Sequence, residues 1–134
     1  MKTLFEPIRI RNLELRNRFV RSATFEGCGD GHGNITNRLI TLYETLGRGG
    51  VGLIITGIVY VHPNGSISPT QASLDHDDRV PGWQQLTRAV HERGTAVAAQ
   101  LFHAGIEAGK SLQARGEEAL APSQMSHPLF PWAH

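Results

Sequence analysis

The segment Ala98-Ala99-Gln100-Leu101-Phe102-His103-Ala104-Gly105 constrains the fold most tightly. Small and apolar residues run into an amide, an imidazole and a glycine. This is the pattern of a buried parallel strand that delivers polar groups to a site at its C-terminal end. An earlier segment, Val51-Gly52-Leu53-Ile54-Ile55-Thr56-Gly57-Ile58, ends in the same way. A helical pattern precedes each one. Strand, crossover helix and strand in this rhythm mean parallel pairing, and the polar strand ends point to a (β/α) barrel. A complete barrel takes roughly 250 residues, whereas this sequence has 134. The expected class is therefore α/β, with only the first three strands of a barrel present.

The periodicity places the elements. Ile8 to Leu15 alternates apolar and polar residues on both sides of Arg11-Asn12, which predicts a small hairpin over 8–16. Strands are expected near 18–24, 51–58 and 96–101. Four glycines in the eight residues from Gly27 to Asn34 make a loop. Thr36 reads as the N-cap of a helix with Leu39, Leu42, Tyr43 and Leu46 on one face, and Gly47 as its C′ residue. Ser66 to Asp78 is a long polar loop. Pro81 suits the first turn of a second helix, in which Trp83, Leu86 and Val90 recur at helical spacing and Gly94 closes. Glu107 to Ala119 reads as a short polar helix or a loop, and Pro128, Pro131 and Trp132 as extended chain.

Composition excludes several function classes. An apolar fraction of 40% supports a core and argues against disorder. Thirteen basic and twelve acidic residues leave a net charge of +1, which gives no electrostatic case for nucleic acid or an anionic membrane. Cys28 is the only cysteine, so no intramolecular disulfide forms and a reducing, cytoplasmic setting is expected. The N-terminus lacks the apolar run of a signal peptide. No segment approaches the ~20 apolar residues of a membrane helix.

Other motifs are weaker. Gly47-Arg48-Gly49-Gly50-Val51-Gly52 has the letters of a dinucleotide fingerprint, but its glycines follow a helix and precede a strand, the reverse of what the fingerprint needs. The seven histidines show no metal-ligand spacing, so no metal is expected. His103 ends a strand and reads either as a packing histidine or as an imidazole fixed beside a ligand. Asp75, Asp77, Asp78 and Arg79 read as solvated surface, with Asp78 available as a helix cap. Cys28 has no cationic neighbour in sequence to activate it. Lys2 and Lys110 are the only lysines, which disfavours a Schiff-base barrel enzyme.

Gln100 stands out. A primary amide within Ala, Val and Leu must find partners or cost a few kcal/mol on burial. Its partners are either the backbone or a flat heterocycle with alternating carbonyl and ring NH groups, as in a pyrimidine-like ring. Thr24, at the end of the first strand, offers a hydroxyl.

Together these segments resemble the Old Yellow Enzyme family of FMN-dependent NAD(P)H:flavin oxidoreductases and ene-reductases. The resemblance is carried by Leu4-Phe5-Glu6-Pro7-Ile8, Asn17-Arg18-Phe19-Val20, Arg21-Ser22-Ala23-Thr24, Gly52-Leu53-Ile54-Ile55-Thr56-Gly57 and Gln100-Leu101-Phe102-His103-Ala104-Gly105. It implies that residues 1–134 are the N-terminal part of a single FMN-binding TIM (β/α)₈ barrel domain, with the hairpin capping the barrel bottom. It also implies FMN across the C-terminal strand ends, lined by Ser22, Ala23, Thr24 and Phe25, by Gly57 and Ile58, and by Gln100 on the pyrimidine edge. Glu26 and Gly27 would edge the substrate side. Phe25 departs from the family pattern at the redox-tuning position, Ile58 stands where a small residue is common, and Ile106 stands where an arginine often follows His-Ala-Gly.

The implied activity passes hydride from NAD(P)H through FMN to an activated C=C of a small-molecule enone or enoyl substrate. The family's substrate-anchoring pair, proton-donating tyrosine and phosphate site lie on later strands, so no catalytic residue is assigned here. The corresponding expectation is that the 134-residue chain binds FMN weakly or not at all. The alternative is a truncated, non-catalytic remnant that is stable only by association, through its open barrel edges.

Overall fold

The computed structural model describes residues 3–109, 112 and 115–123. Residues 124–134, with the extended tail expected there, lie outside the described residues. So do Lys110 and three neighbouring positions between Gly109 and Arg115.

The chain opens with an antiparallel hairpin of β1 (Ile8–Ile10) and β2 (Leu13–Leu15), paired Ile8 to Leu15 and Ile10 to Leu13. Arg11 takes a left-handed φ of 52° in its turn. β3 (Val20–Arg21), β4 (Leu53–Tyr60) and β5 (Ala96–Phe102) then form a parallel sheet in the order β3-β4-β5. Two crossover helices connect the strands: α1 (Asn37–Arg48) and α2 (Val80–His91).

Local chemistry explains the boundaries. Thr36 caps α1, its hydroxyl accepting from the Leu39 amide at 3.2 Å. The helix runs one residue past Gly47, to Arg48, with Gly49 as its C-cap. Gly47 is needed for packing instead, since a Cβ there would lie 3.0 Å from Cβ of Arg93. α2 begins without a side-chain cap: Asp77 and Asp78 sit in a 3-10 turn before it, so Asp78 does not take the expected capping role. Asp75 also departs from the solvated expectation. Its carboxylate is almost fully buried and pairs with Arg79 at 3.1 Å.

Both helices lie on one face of the sheet. Leu39 and Tyr43 of α1, Ile54 and Val59 of β4, and Trp83, Leu86 and Val90 of α2 form the core. Burying each such side chain contributes about 1.5–3 kcal/mol. Leu42, expected on the inner face of α1, is 36% exposed at the margin. The sequence also predicts a β4 buried on both faces. Ile54, Thr56 and Val59 on one face, together with Gly57, are buried, while Leu53, Ile55 and Ile58 on the other face are half-exposed. The helices cover a single side, and among the described residues no layer covers the other.

The hairpin is tied to the N-terminal ends of the strands. Arg16 donates to the carbonyls of Arg93 (2.8 Å), Gly47 (2.9 Å) and Val51 (3.2 Å), and to the Thr95 hydroxyl (2.8 Å). Asn17 donates to Gly50 O at 2.7 Å, and its side-chain oxygen accepts from the Phe19 amide. One planar guanidinium thus satisfies loose carbonyls at both helix-to-strand turns.

Candidate functional site

The C-terminal ends of the three strands bring together the segment after β3, the middle of β4 and the end of β5. Here the β4–β5 ladder is irregular. Ile55 pairs with Ala98 and Ile58 with Gln100, so two residues, Thr56 and Gly57, oppose one, Ala99. This is a β-bulge, a device that re-aims side chains next to sites. Its polar groups are satisfied locally. The buried Thr56 hydroxyl accepts from the Gln100 amide at 3.2 Å and donates to Gly57 O at 2.9 Å.

The Gly57 amide points away from the ladder. It donates to Oε1 of Glu26 at 3.0 Å and to the Tyr43 hydroxyl at 3.1 Å. Tyr43 OH donates to the same carboxylate. Arg21 completes the cluster: its Nη1 lies 3.0 Å from Glu26 and 3.1 Å from Ile55 O, and its guanidinium sits 5.5 Å from the Tyr43 ring centroid. Only 9% of the Glu26 side chain is exposed. Burial, reinforced by the hydrogen bond to Glu26, raises the Tyr43 pKa far above its ordinary value, so the phenol stays a donor.

This cluster corrects one expectation. Glu26 does not edge the substrate side; it turns inward beneath the strand ends. Gly57 meets the cluster closely at its Cβ position. That position is filled by the Glu26 carboxylate, and a Cβ would also lie 2.6 Å from Thr24 O. The sequence carries a faint signal for the cluster, a charged pair flanking Ser22-Ala23-Thr24-Phe25, but no periodicity links it to Tyr43.

The other candidate residues lie at the same end. Ser22, Thr24 and Phe25 are exposed, and Ala23 and Ile58 are half-buried. The Thr24 hydroxyl donates back to Ser22 O at 3.2 Å, so it faces a ligand chiefly as an acceptor. Gln100 is exposed rather than buried as its apolar neighbours suggest. β5 is the sheet edge, and no layer among the described residues encloses the Ala-rich run. Among those residues no group donates to or accepts from the Gln100 side-chain amide. Among the described residues its donor pair and its acceptor have no partner at the end of β5, beside Ile58.

His103 lies just beyond β5. Its Nδ1 accepts from the Gly105 amide at 3.0 Å, and its ring packs so closely on Gly65 that a Cβ there would lie 2.6 Å from Cδ2. The His62 ring is 6.2 Å away, centroid to centroid. The glycine loop is docked, not loose. The Gly29 amide donates to Thr70 O at 2.8 Å and Gly33 O accepts from the Ser73 amide at 2.9 Å. Cys28 is half-buried, its thiol donating to Glu26 O. Among the described residues, no group of three or more His, Cys, Asp or Glu side chains gathers, and no helix is long and apolar enough to cross a membrane. A cavity of about 720 Å³, beside Phe5, Arg16, Phe19 and Val51, lies at the opposite end of the strands and is open space under the hairpin, not part of this site.

Parallel strands with crossover helices on one face, a bulged central strand and polar groups at the C-terminal strand ends define a partial α/β unit. The chain superposes on the Old Yellow Enzyme from Pichia sp. AKU4542 with a TM-score of 0.83 and 28% identity, over 91% of this chain and 32% of that one. It belongs to the NADH:flavin oxidoreductase / NADH oxidase family, whose sequence profile matches residues 3–132. It is 36% identical over 126 residues to 4,4'-dithiodibutanoate disulfide reductase of Rhodococcus erythropolis, covering 94% of this chain and 30% of that protein. It is 37% identical over 121 residues to NADH oxidase of Thermoanaerobacter brockii, covering 90% and 18% respectively. The chain thus spans a fifth to a third of the length of these relatives. Old Yellow Enzyme homologues use FMN, with NAD(P)H as the reductant.

Proposed function

We propose that this chain supplies the first three strands of an FMN-dependent (β/α)₈ oxidoreductase and, with them, the pyrimidine side of its flavin site. When bound, FMN would supply the hydride-transfer chemistry between NAD(P)H and an electron-poor C=C of an enone or enoyl substrate. The residues fit the group by the chemistry of their donor set. The free Gln100 amide offers a donor pair and an acceptor, the complement of a ring edge on which carbonyl and NH groups alternate. Ser22, Ala23, Thr24 and Phe25 line the ring from the end of β3, with Phe25 contributing a ring face and a backbone amide. Gly57 contributes through its backbone and Ile58 through its side chain.

The observation that carries this reading is the unpartnered Gln100 amide, held beside Ile58 by the bulge, in a chain of a flavin oxidoreductase family. Titrating FMN with the purified chain and following flavin fluorescence tests it. The expected result is saturable quenching that Gln100→Ala weakens at least fivefold. Absence of quenching at millimolar chain, or an unaltered titration with Gln100→Ala, overturns the assignment. A visible spectrum after mixing with excess FMN and desalting adds the strength of binding: a retained yellow band means that these strands hold the ring without further chain.

A second reading, a non-catalytic piece stable only by association, is favoured by one observation. Val20 and Leu101 are 47% and 62% exposed on the edge strands of the sheet. Sedimentation of the chain across a concentration series tests it, and a strictly monomeric, folded chain excludes it.

A further inference from the structure

Four groups from three elements and one connecting segment converge beneath the strand ends: Arg21 of β3, Glu26 of the segment after it, Tyr43 of α1 and the bulge amide of Gly57 in β4. We propose that Glu26 is a positioning residue for the flavin site: by accepting from the Gly57 amide it holds the Thr56–Gly57 bulge open, and the bulge sets the register that pairs Ile58 with Gln100. The inference rests on the functional reading above and extends it to a residue that touches neither ligand nor reacting atoms.

The argument is one of hydrogen-bond accounting. A bulge leaves a strand amide without its ladder partner. At a buried position such an amide must be satisfied or the bulge collapses into a regular ladder. Gly57 is fully inside the fold, and its amide has two acceptors, Glu26 Oε1 at 3.0 Å and Tyr43 OH at 3.1 Å. Tyr43 is itself held by the same carboxylate, so both acceptors depend on Glu26. Arg21 fixes the carboxylate from the other side at 3.0 Å.

Side-chain period does the rest. Because residues alternate between faces, removing one residue from the bulge moves every following β4 residue to the opposite face. Ile58 would then no longer stand beside Gln100. The bulge also supplies the Thr56 hydroxyl that accepts from the Gln100 backbone amide at 3.2 Å. The absence of a side chain at residue 57 makes room for the device, since the Glu26 carboxylate occupies the space a Cβ would take.

The test is an amide-resolved NMR titration of the intact isotope-labelled chain with FMN. Four proteins are compared: the parent, Glu26→Ala, Glu26→Gln and Tyr43→Phe. In the parent, the Gln100 side-chain amide signals are expected to shift on FMN addition and the Gly57 amide to exchange slowly with solvent. Glu26→Ala should speed Gly57 exchange at least tenfold and reduce the FMN-induced Gln100 shift at least fivefold. Glu26→Gln keeps a carbonyl acceptor and should restore most of both signals. Tyr43→Phe removes one acceptor only, tests the same point if Glu26→Ala fails to fold, and should give an intermediate exchange rate.

Fast Gly57 exchange in Glu26→Ala with an unchanged Gln100 response would overturn the positioning role and leave Glu26 a structural residue. Slow exchange in both Glu26→Ala and Tyr43→Phe would overturn the bulge mechanism itself. A parent chain whose Gln100 signals do not respond to FMN, with Gly57 protected, would overturn the functional reading instead, and so separates the two failures.

Discussion

The two faces of the parallel sheet are built from the same strands and meet different fates. On the helix side, Ile54 and Val59 are sealed by Leu39, Tyr43, Leu86 and Val90. On the other side, Leu53, Ile55 and Ile58 stay half-exposed, and Gln100, which pairs with Ile58 from β5, is exposed. The contrast teaches where stability and function reside. The helix side is closed and close-packed among the described residues. The open side carries the candidate flavin residues and owes its geometry to a single polar cluster that reaches through from the helix side, at Glu26 and Tyr43.

Substitutions that sharpen the contrast rank by their expected cost. Leu86→Ala, on the closed side, should lose about 3 kcal/mol by removing a fully buried side chain. Gln100→Ala, on the open side, should change stability by no more than about 0.5 kcal/mol. Denaturant unfolding of both measures the difference, and equal effects would erase the contrast between faces.

Gly57→Ala should cost about 2 kcal/mol, because its Cβ would meet the Glu26 carboxylate and lie 2.6 Å from Thr24 O. The same unfolding experiment reads it. A neutral outcome would mean that the cluster yields easily and does not hold the bulge. Thr36→Ala should lose about 1 kcal/mol with the α1 cap, and it should leave the response of Gln100 to FMN unchanged, since it acts on the closed side alone.

The smallest effects concern pH. At Asp75, burial opposes ionisation, but hydrogen bonds from Ser73 and Arg79 outweigh it and hold the pKa below the ordinary 3.8. At Asp30, burial is likewise outweighed, by Asn34 and by the amides of His32 and Asn34. A lowered folded pKa means that this stabilisation is complete above the ordinary value and is lost as pH falls through the lowered one. Tyr43 has the opposite sign: its pKa is raised by burial first and by Glu26 second. Its contribution is full below the ordinary value of 10.0 and fades as pH rises beyond it. Unfolding midpoints followed from acid to alkaline pH should therefore fall at both ends. Asp75→Asn should flatten the acid limb, and Tyr43→Phe the alkaline one.

Particular residues show how much was legible. Thr36 and the Leu39, Tyr43, Leu86 and Val90 positions could be read from helix period and capping chemistry, because those rules act within a few residues. The long apolar strand and the strand ending in Gln100 were visible for the same reason. Gln100 itself was misjudged as buried: its neighbours are apolar, but exposure depends on what lies across the sheet, not on the adjacent residues. Leu42 and Asp75 were placed on the wrong side of the surface by the same limit of a one-dimensional pattern.

By itself, then, the sequence determined the α/β alternation, the parallel pairing and the family to which the chain belongs. All three follow from local periodicity and from motifs read in order. Only the tertiary structure decided the roles of Arg16 and Glu26. Arg16 gathers acceptors from positions as distant as Arg93 and Thr95, and Glu26 joins Arg21, Tyr43 and Gly57. Buried polar groups choose their partners by distance in space. The bulge at Thr56–Gly57, invisible in the letters, exists because those partners meet there.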